Sequence, residues 1–182
     1  LEKDRVEVRF LNKVKESQKK NKIELAVCLV KKNPMEIILQ KATELGVSKI
    51  IPIVSERTEV KELNHDRAKK ISIEATEQSS QMLPPEILEV TKLKDFLENF
   101  NKNTKLLFAD VNSKNNLRSD DIKDFETLCI LIGPEGDFTP SERQSILSVS
   151  KVVPFKMSNN ILRTDTAVIS AISLVNFINN LP

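Results

Sequence analysis

Two segments of the sequence concentrate residues able to handle a polar ligand. The first is Ile130-Leu131-Ile132-Gly133-Pro134-Glu135-Gly136-Asp137-Phe138, an apolar strand pattern running into a Gly-Pro turn. Gly133 and Gly136 permit positive φ there, or the close approach of a ligand to the backbone. The second is Met157-Ser158-Asn159-Asn160-Ile161-Leu162-Arg163-Thr164-Asp165-Thr166-Ala167, in which polar residues lead into a helix start. Unpaired N–H groups and the helix dipole favour an anion at such a place. Arg163 beside it could hold a phosphate, a carboxylate or a developing anion, or simply form a surface ion pair. Asp110, at the end of a third strand pattern, could accept from a hydroxyl or amine, or open a turn. Gln40, Thr43, Glu77 and Gln78 have no role that periodicity assigns and read as solvated helix faces.

The types that are scarce exclude other chemistries. Only Gly46, Gly133 and Gly136 occur among 182 residues, where average usage would give roughly 13. Neither G-x-G-x-x-G nor a P-loop can be written with them, and no G-x-S-x-G exists for a nucleophile elbow. His65 is the one histidine and reads as a surface residue. With Cys28 and Cys129 both in apolar runs, no metal site is expected. Those two cysteines read as buried thiols of a reducing, cytoplasmic protein rather than as a disulfide framework. No apolar run approaches the ~18 residues that would span a bilayer, so no membrane partner is expected. A net charge of +2 does not by itself argue for nucleic acid.

The elements that must position these residues alternate. Strand patterns at 23–30, 50–54, 105–109, 128–132 and 152–155 are separated by helical stripes. Asn33-Pro34-Met35-Glu36 has the residues of a capped helix start, with Gly46 as its left-handed terminator. Ala68, Ile71, Ala75, Gln78 and Met82 mark a second helix, and Leu93, Phe96, Leu97 and Phe100 a third. Thr139-Pro140-Ser141-Glu142 is another capped start. The last helix runs from about Thr164 to Asn179. This order predicts an α/β fold, a mainly parallel sheet with helices on both faces. Its ligands would bind beyond the carboxyl ends of the strands. Residues 1–22 carry eight basic residues. Val6, Val8 and Phe10 there suggest a strand followed by a solvated linker.

Gln40-Lys41-Ala42-Thr43-Glu44-Leu45-Gly46, Ser55-Glu56-Arg57, Glu74 to Ser79, Ile132 to Gly136 and Ile161-Leu162-Arg163-Thr164 with Thr166-Ala167 occur in one order. Together they resemble the SPOUT superfamily of RNA methyltransferases, and within it the RsmE-type family. The resemblance implies methylation of a uridine at ring nitrogen 3 in small-subunit (16S) ribosomal RNA, with S-adenosyl-L-methionine as cofactor. It also implies a C-terminal trefoil knot, a homodimer, and a ribosomal RNA substrate in an assembled 30S particle. Residues 1–22 would then be the remnant of an N-terminal PUA-like RNA-binding domain plus linker, and 23–182 the SPOUT domain. Cofactor-binding positions carried over are Leu131, Ile132, Gly133, Pro134, Glu135, Gly136, Met157, Ser158, Asn159, Ile161, Leu162 and Thr166. Catalytic ones are Arg163, with Glu135 or Asp165 as proton acceptor. Alternatives are a SPOUT methyltransferase for another ribosomal or transfer RNA position, or a non-catalytic RNA-binding or ribosome-assembly factor. The chain departs from the pattern at Ser80-Gln81, where Gly-Arg is usual, and at Asp137, where glycine is. It also departs at Met157-Ser158-Asn159-Asn160, where Leu-Gly-x-Arg is usual, and at Asp165, where Glu is.

Overall fold

The computed structural model describes residues 9, 11 and 22–179. The strand expected at Val6, Val8 and Phe10 and the linker after it lie outside the described residues. Seven strands form one sheet: β1 (Lys22–Cys28), β2 (Lys49–Val54), β3 (Glu86–Ile87), β4 (Thr91–Lys92), β5 (Lys105–Ala109), β6 (Thr127–Ile132) and β7 (Val152–Phe155). Their order is β3-β2-β1-β6-β5-β7, with β4 also beside β2. Every ladder is parallel. The short strands β3 and β4 have no apolar run to announce them, and were not expected from the sequence.

Each central strand is buried on both faces, and the pleat divides its side chains between two cores. Leu25 and Val27 of β1, with Leu128, Ile130 and Ile132 of β6, face α1 (Lys32–Glu44), α2 (His65–Gln78) and α5 (Thr164–Asn179). Ala26, Cys28, Cys129 and Leu131 face the opposite side, under α3 (Leu93–Glu98) and α4 (Pro140–Leu147). Burial desolvates both thiols and disfavours their charged forms. The Cys28 pKa is pushed up to about 12, and Cys129 is raised as well.

Helix ends follow the residues, with corrections. β1 closes at Cys28 rather than at Val30. Helix α1 starts one residue before Asn33, and its N-cap Lys31 makes no side-chain cap bond. Pro34 fits anywhere in a first turn, where its missing N–H costs nothing, so it does not fix the start. Glu36 therefore closes no capping box, and instead accepts from Arg67 on α2 at 3.1 Å. That hydrogen bond and the guanidinium charge hold the Glu36 pKa below the usual carboxylate range. Gly46 does end α1 in the left-handed region, φ +83°. Its N–H reaches Thr43 O at 2.9 Å, and the Val47 N–H reaches Ala42 O at 3.0 Å.

Helix α2 ends in the same hydrogen-bond pattern, with Ser80 in place of glycine. The Ser80 N–H donates to Glu77 O at 3.4 Å and the Gln81 N–H to Thr76 O at 3.1 Å, while Ser80 has φ 54°. Met82 thus lies beyond the helix and is 51% exposed. Phe100 likewise follows α3 and meets Phe96 edge-on. His65 opens α2 half-buried rather than on the surface, its Nε2 3.3 Å from Glu89. Thr43 is not solvated either. It is buried, with its hydroxyl donating to Leu39 O at 2.7 Å. No helix of the described residues is long and apolar enough to cross a membrane.

Candidate active site

The carboxyl ends of β5, β6 and β7 lie side by side, and the segments leaving them enclose a cavity of about 320 Å³. The three segments singled out in the sequence meet here: Asp110–Val111, the loop 133–137, and residues 156–162. Parallel pairing explains the convergence, because it brings all three strand ends to one edge. The floor is apolar, with Ala109, Ile132, Phe155, Met157, Leu162 and Ala167.

Of the predicted cofactor positions, Ile132, Gly133, Pro134, Glu135, Gly136, Met157, Ser158, Ile161 and Leu162 line this cavity. Leu131 is buried in the core under α3 and α4, while Asn159 and Thr166 lie outside the lining. Among the predicted catalytic residues Glu135 is part of the wall. Arg163 and Asp165 stand beside it, flanking the lining residue Thr164. Arg163 is exposed, and its carbonyl accepts the Ala167 N–H at 2.8 Å at the entrance of α5. Asp165 Oδ1 accepts the Thr166 N–H at 2.8 Å. Among the described residues no cluster of His, Cys, Asp and Glu could hold a metal ion.

The Gly-Pro loop differs from expectation in where its special backbone falls. Neither Gly133 nor Gly136 has positive φ; Asp137 does, at 57°. Its carboxylate accepts the Phe138 N–H at 2.7 Å, the local bond that lets Asp occupy this region. What Gly133 supplies is room. A Cβ there would lie 3.0 Å from Cε2 of Phe138, whose ring meets Phe108 edge-on, centroids 5.8 Å apart.

Sequence reasoning missed Arg143 and the bonds that tie the loop down. Thr139 and Glu142 form the expected capping box, but the other Glu142 oxygen also accepts the Glu56 N–H at 2.8 Å. Arg57 reaches back to Gly136 O at 2.9 Å. Arg143 pairs with Asp110, Nη2 to Oδ2 at 2.7 Å and Nε to Oδ2 at 3.1 Å. The Asp110 side chain is only 2% exposed, and its hydrogen bond raises the Arg143 pKa above the usual arginine value. Nothing in spacing links positions 33 residues apart; Asp110, Thr139 to Glu142 and Ser55-Glu56-Arg57 were each singled out, but not their pairing.

This fold is shared with solved structures of SpoU-type enzymes. One such enzyme, AviRb from Streptomyces viridochromogenes, superposes with TM-score 0.53 at 15% identity, over 85% of this chain and 58% of that one. A family model described as an RNA methyltransferase domain matches residues 17–176. The ribosomal RNA small subunit methyltransferase E of Rickettsia conorii is 32% identical over 176 residues, 95% of this chain and 71% of its own length. Its namesake in Aquifex aeolicus is 36% identical over 151 residues, 79% and 63%. The crystal structure of such an enzyme from Neisseria gonorrhoeae, bound to S-adenosyl methionine, superposes with TM-score 0.79 at 29% identity, over 86% of this chain and 65% of that one. The chain therefore belongs to the RNA methyltransferase family that includes the proteins named ribosomal RNA small subunit methyltransferase E. It spans roughly two thirds of the length of these three relatives.

Proposed function

We propose that this chain methylates ring nitrogen 3 of a uridine in small-subunit ribosomal RNA, using S-adenosylmethionine. The observation that carries the reading is the convergence of the Gly-Pro loop, the 156–162 segment and the entrance of α5 on one cavity. Its size and apolar floor suit a nucleoside-sized ligand. The names of the relatives, and the S-adenosyl methionine in the Neisseria gonorrhoeae enzyme, support the same assignment.

The residues present fit that cofactor. The floor around Ile132, Met157 and Leu162 would cover an adenine face, and the backbone of 133–137 and 156–162 offers polar groups for its edges and ribose. Bound there, S-adenosylmethionine supplies an electrophilic methyl group on a sulfonium. The uridine nitrogen lies between two carbonyls and must lose its proton to attack. Arg163 would stabilise the resulting uracil anion, a fixed charge placed where negative charge develops. It makes no ion pair among the described residues, which leaves its guanidinium for substrate. Glu135 or Asp165 would accept the proton.

The reading extends to a homodimer acting in the cytoplasm on an assembled 30S particle, with residues 1–22 as the end of a PUA-like domain. Exposed Phe177 on α5 and Ile161 at the cavity rim suit contact with a second copy or with RNA. A trefoil knot is part of the same proposal. The loops it would involve are hydrogen-bonded to one another, Lys156 N–H to Asn115 O at 2.8 Å and Thr164 Oγ1 to Gly133 O at 3.4 Å.

Calorimetry with S-adenosylmethionine tests the cofactor directly, and no binding at millimolar concentration would favour a non-catalytic assembly factor. In single turnover on small-subunit RNA, Arg163→Ala should be slower by about a hundredfold with cofactor still bound. A wild-type rate removes Arg163 from the mechanism.

A further inference from the structure

We infer that Arg143 is a positioning residue for the cofactor, acting through Asp110 to fasten two walls of the cavity together; this rests on the cofactor reading above. Three wall segments surround the site, and the bonds between them are unequal. The wall after β5 is stitched to β7 by Asp110 N–H to Phe155 O at 3.0 Å and Ser113 Oγ to Pro154 O at 3.0 Å, and to the wall after β7 by Lys156 N–H to Asn115 O at 2.8 Å. The Gly-Pro wall after β6 meets the one after β7 through Thr164 Oγ1 and Gly133 O.

Between the β5 wall and the Gly-Pro wall the sheet ladder stops at Phe108 and Leu131. Above that level the connection is side chain to side chain. Phe108 touches Phe138, and Arg143, at the start of the helix that the Gly-Pro loop enters, takes both oxygens of Asp110. Asp110 Oδ1 also accepts the Asn112 N–H at 2.9 Å, so the carboxylate folds its own wall while it is held from the other. The guanidinium donates through both Nε and Nη2, which sets direction as well as distance. It is not a surface ion pair, because Asp110 is shut away from solvent. Losing it frees the Gly-Pro wall to shift relative to the β5 wall, and ligand groups that touch both walls lose their fixed spacing.

Isothermal titration of the full chain with S-adenosylmethionine, well below the unfolding temperature, tests this. Wild type must bind first; failure there overturns the cofactor reading rather than this one. Arg143→Met should weaken binding by about tenfold or more with an unchanged far-ultraviolet circular dichroism spectrum. Arg143→Lys, which keeps the charge but not the fork, should fall between the two. The double variant Asp110→Asn with Arg143→Met removes the stranded carboxylate as well, and should stay weak. Recovery to wild-type affinity in that double variant would mean the buried charge, not the missing link, caused the loss, and the inference would be wrong. Wild-type affinity in a folded Arg143→Met would overturn it equally.

Discussion

Gly133→Ala should destabilise the protein and disturb the cavity, for a reason that the neighbouring ring makes quantitative. The added Cβ would sit 3.0 Å from Cε2 and 3.2 Å from Cδ2 of Phe138, against about 3.5–4.0 Å for relaxed carbon contacts. Either the ring or the loop must move by several tenths of an ångström. The ring has little freedom. Phe138 is 5% exposed and rests edge-on against Phe108, itself 1% exposed. Overpacking of this kind costs about 1–3 kcal/mol. In a chain of this length each kcal/mol lowers Tm by about 2–4 °C, so thermal denaturation resolves it. Phe138→Leu in the same chain supplies the control. Shortening the ring should cost less in the Gly133→Ala background than in the wild-type chain, with a coupling of about 0.5–3 kcal/mol. An alanine variant with wild-type Tm, or strictly additive single and double variants, would refute the steric account.

Other outcomes follow from single features. Ser80→Gly should stabilise by about 0.5–1 kcal/mol, because Ser80 occupies a left-handed helix terminator, φ 54°, that glycine adopts without strain. Urea midpoints read it. A thiol reagent at pH 8 should modify neither Cys28 nor Cys129 until the protein unfolds, since burial keeps both thiols protonated. Arg67→Gln should return the Glu36 pKa to the ordinary carboxylate range, followed by carboxyl carbon shifts. Because the folded value is the lower one, the pair stabilises above the unfolded carboxylate range. That contribution disappears as pH falls through the folded value.

The glycines show how far the residues themselves reached. Gly46 was legible as a helix terminator, because a helical stripe ended on it and nothing but local backbone decides that conformation. Ser80 and Asp137 also hold left-handed backbone, at two positions where the resemblance implies glycine. Gly133 was singled out for positive φ or a ligand's close approach; it lacks the first, and it lines the cavity. Its role is steric, set by a ring five residues along the chain and packed by a strand from elsewhere. Asn33 and Glu36 misled for a related reason, since a tertiary partner on α2 outcompeted the local cap.

What the sequence determined alone was the alternation of buried strands and amphipathic helices, hence a parallel sheet, and the segments that leave its carboxyl edge. Those are properties of residue period and neighbours within a few positions. Tertiary structure decided which strand ends lie adjacent, and so that Asp110, Gly133 and Leu162 share one cavity. It also decided that Arg57, Glu142 and Arg143 fasten its walls. These partners are 33 to 86 residues apart. No periodicity reports a hydrogen bond across that span; only the sheet order, which sets β5 beside β6 and β2 one strand away on its other side, makes it possible.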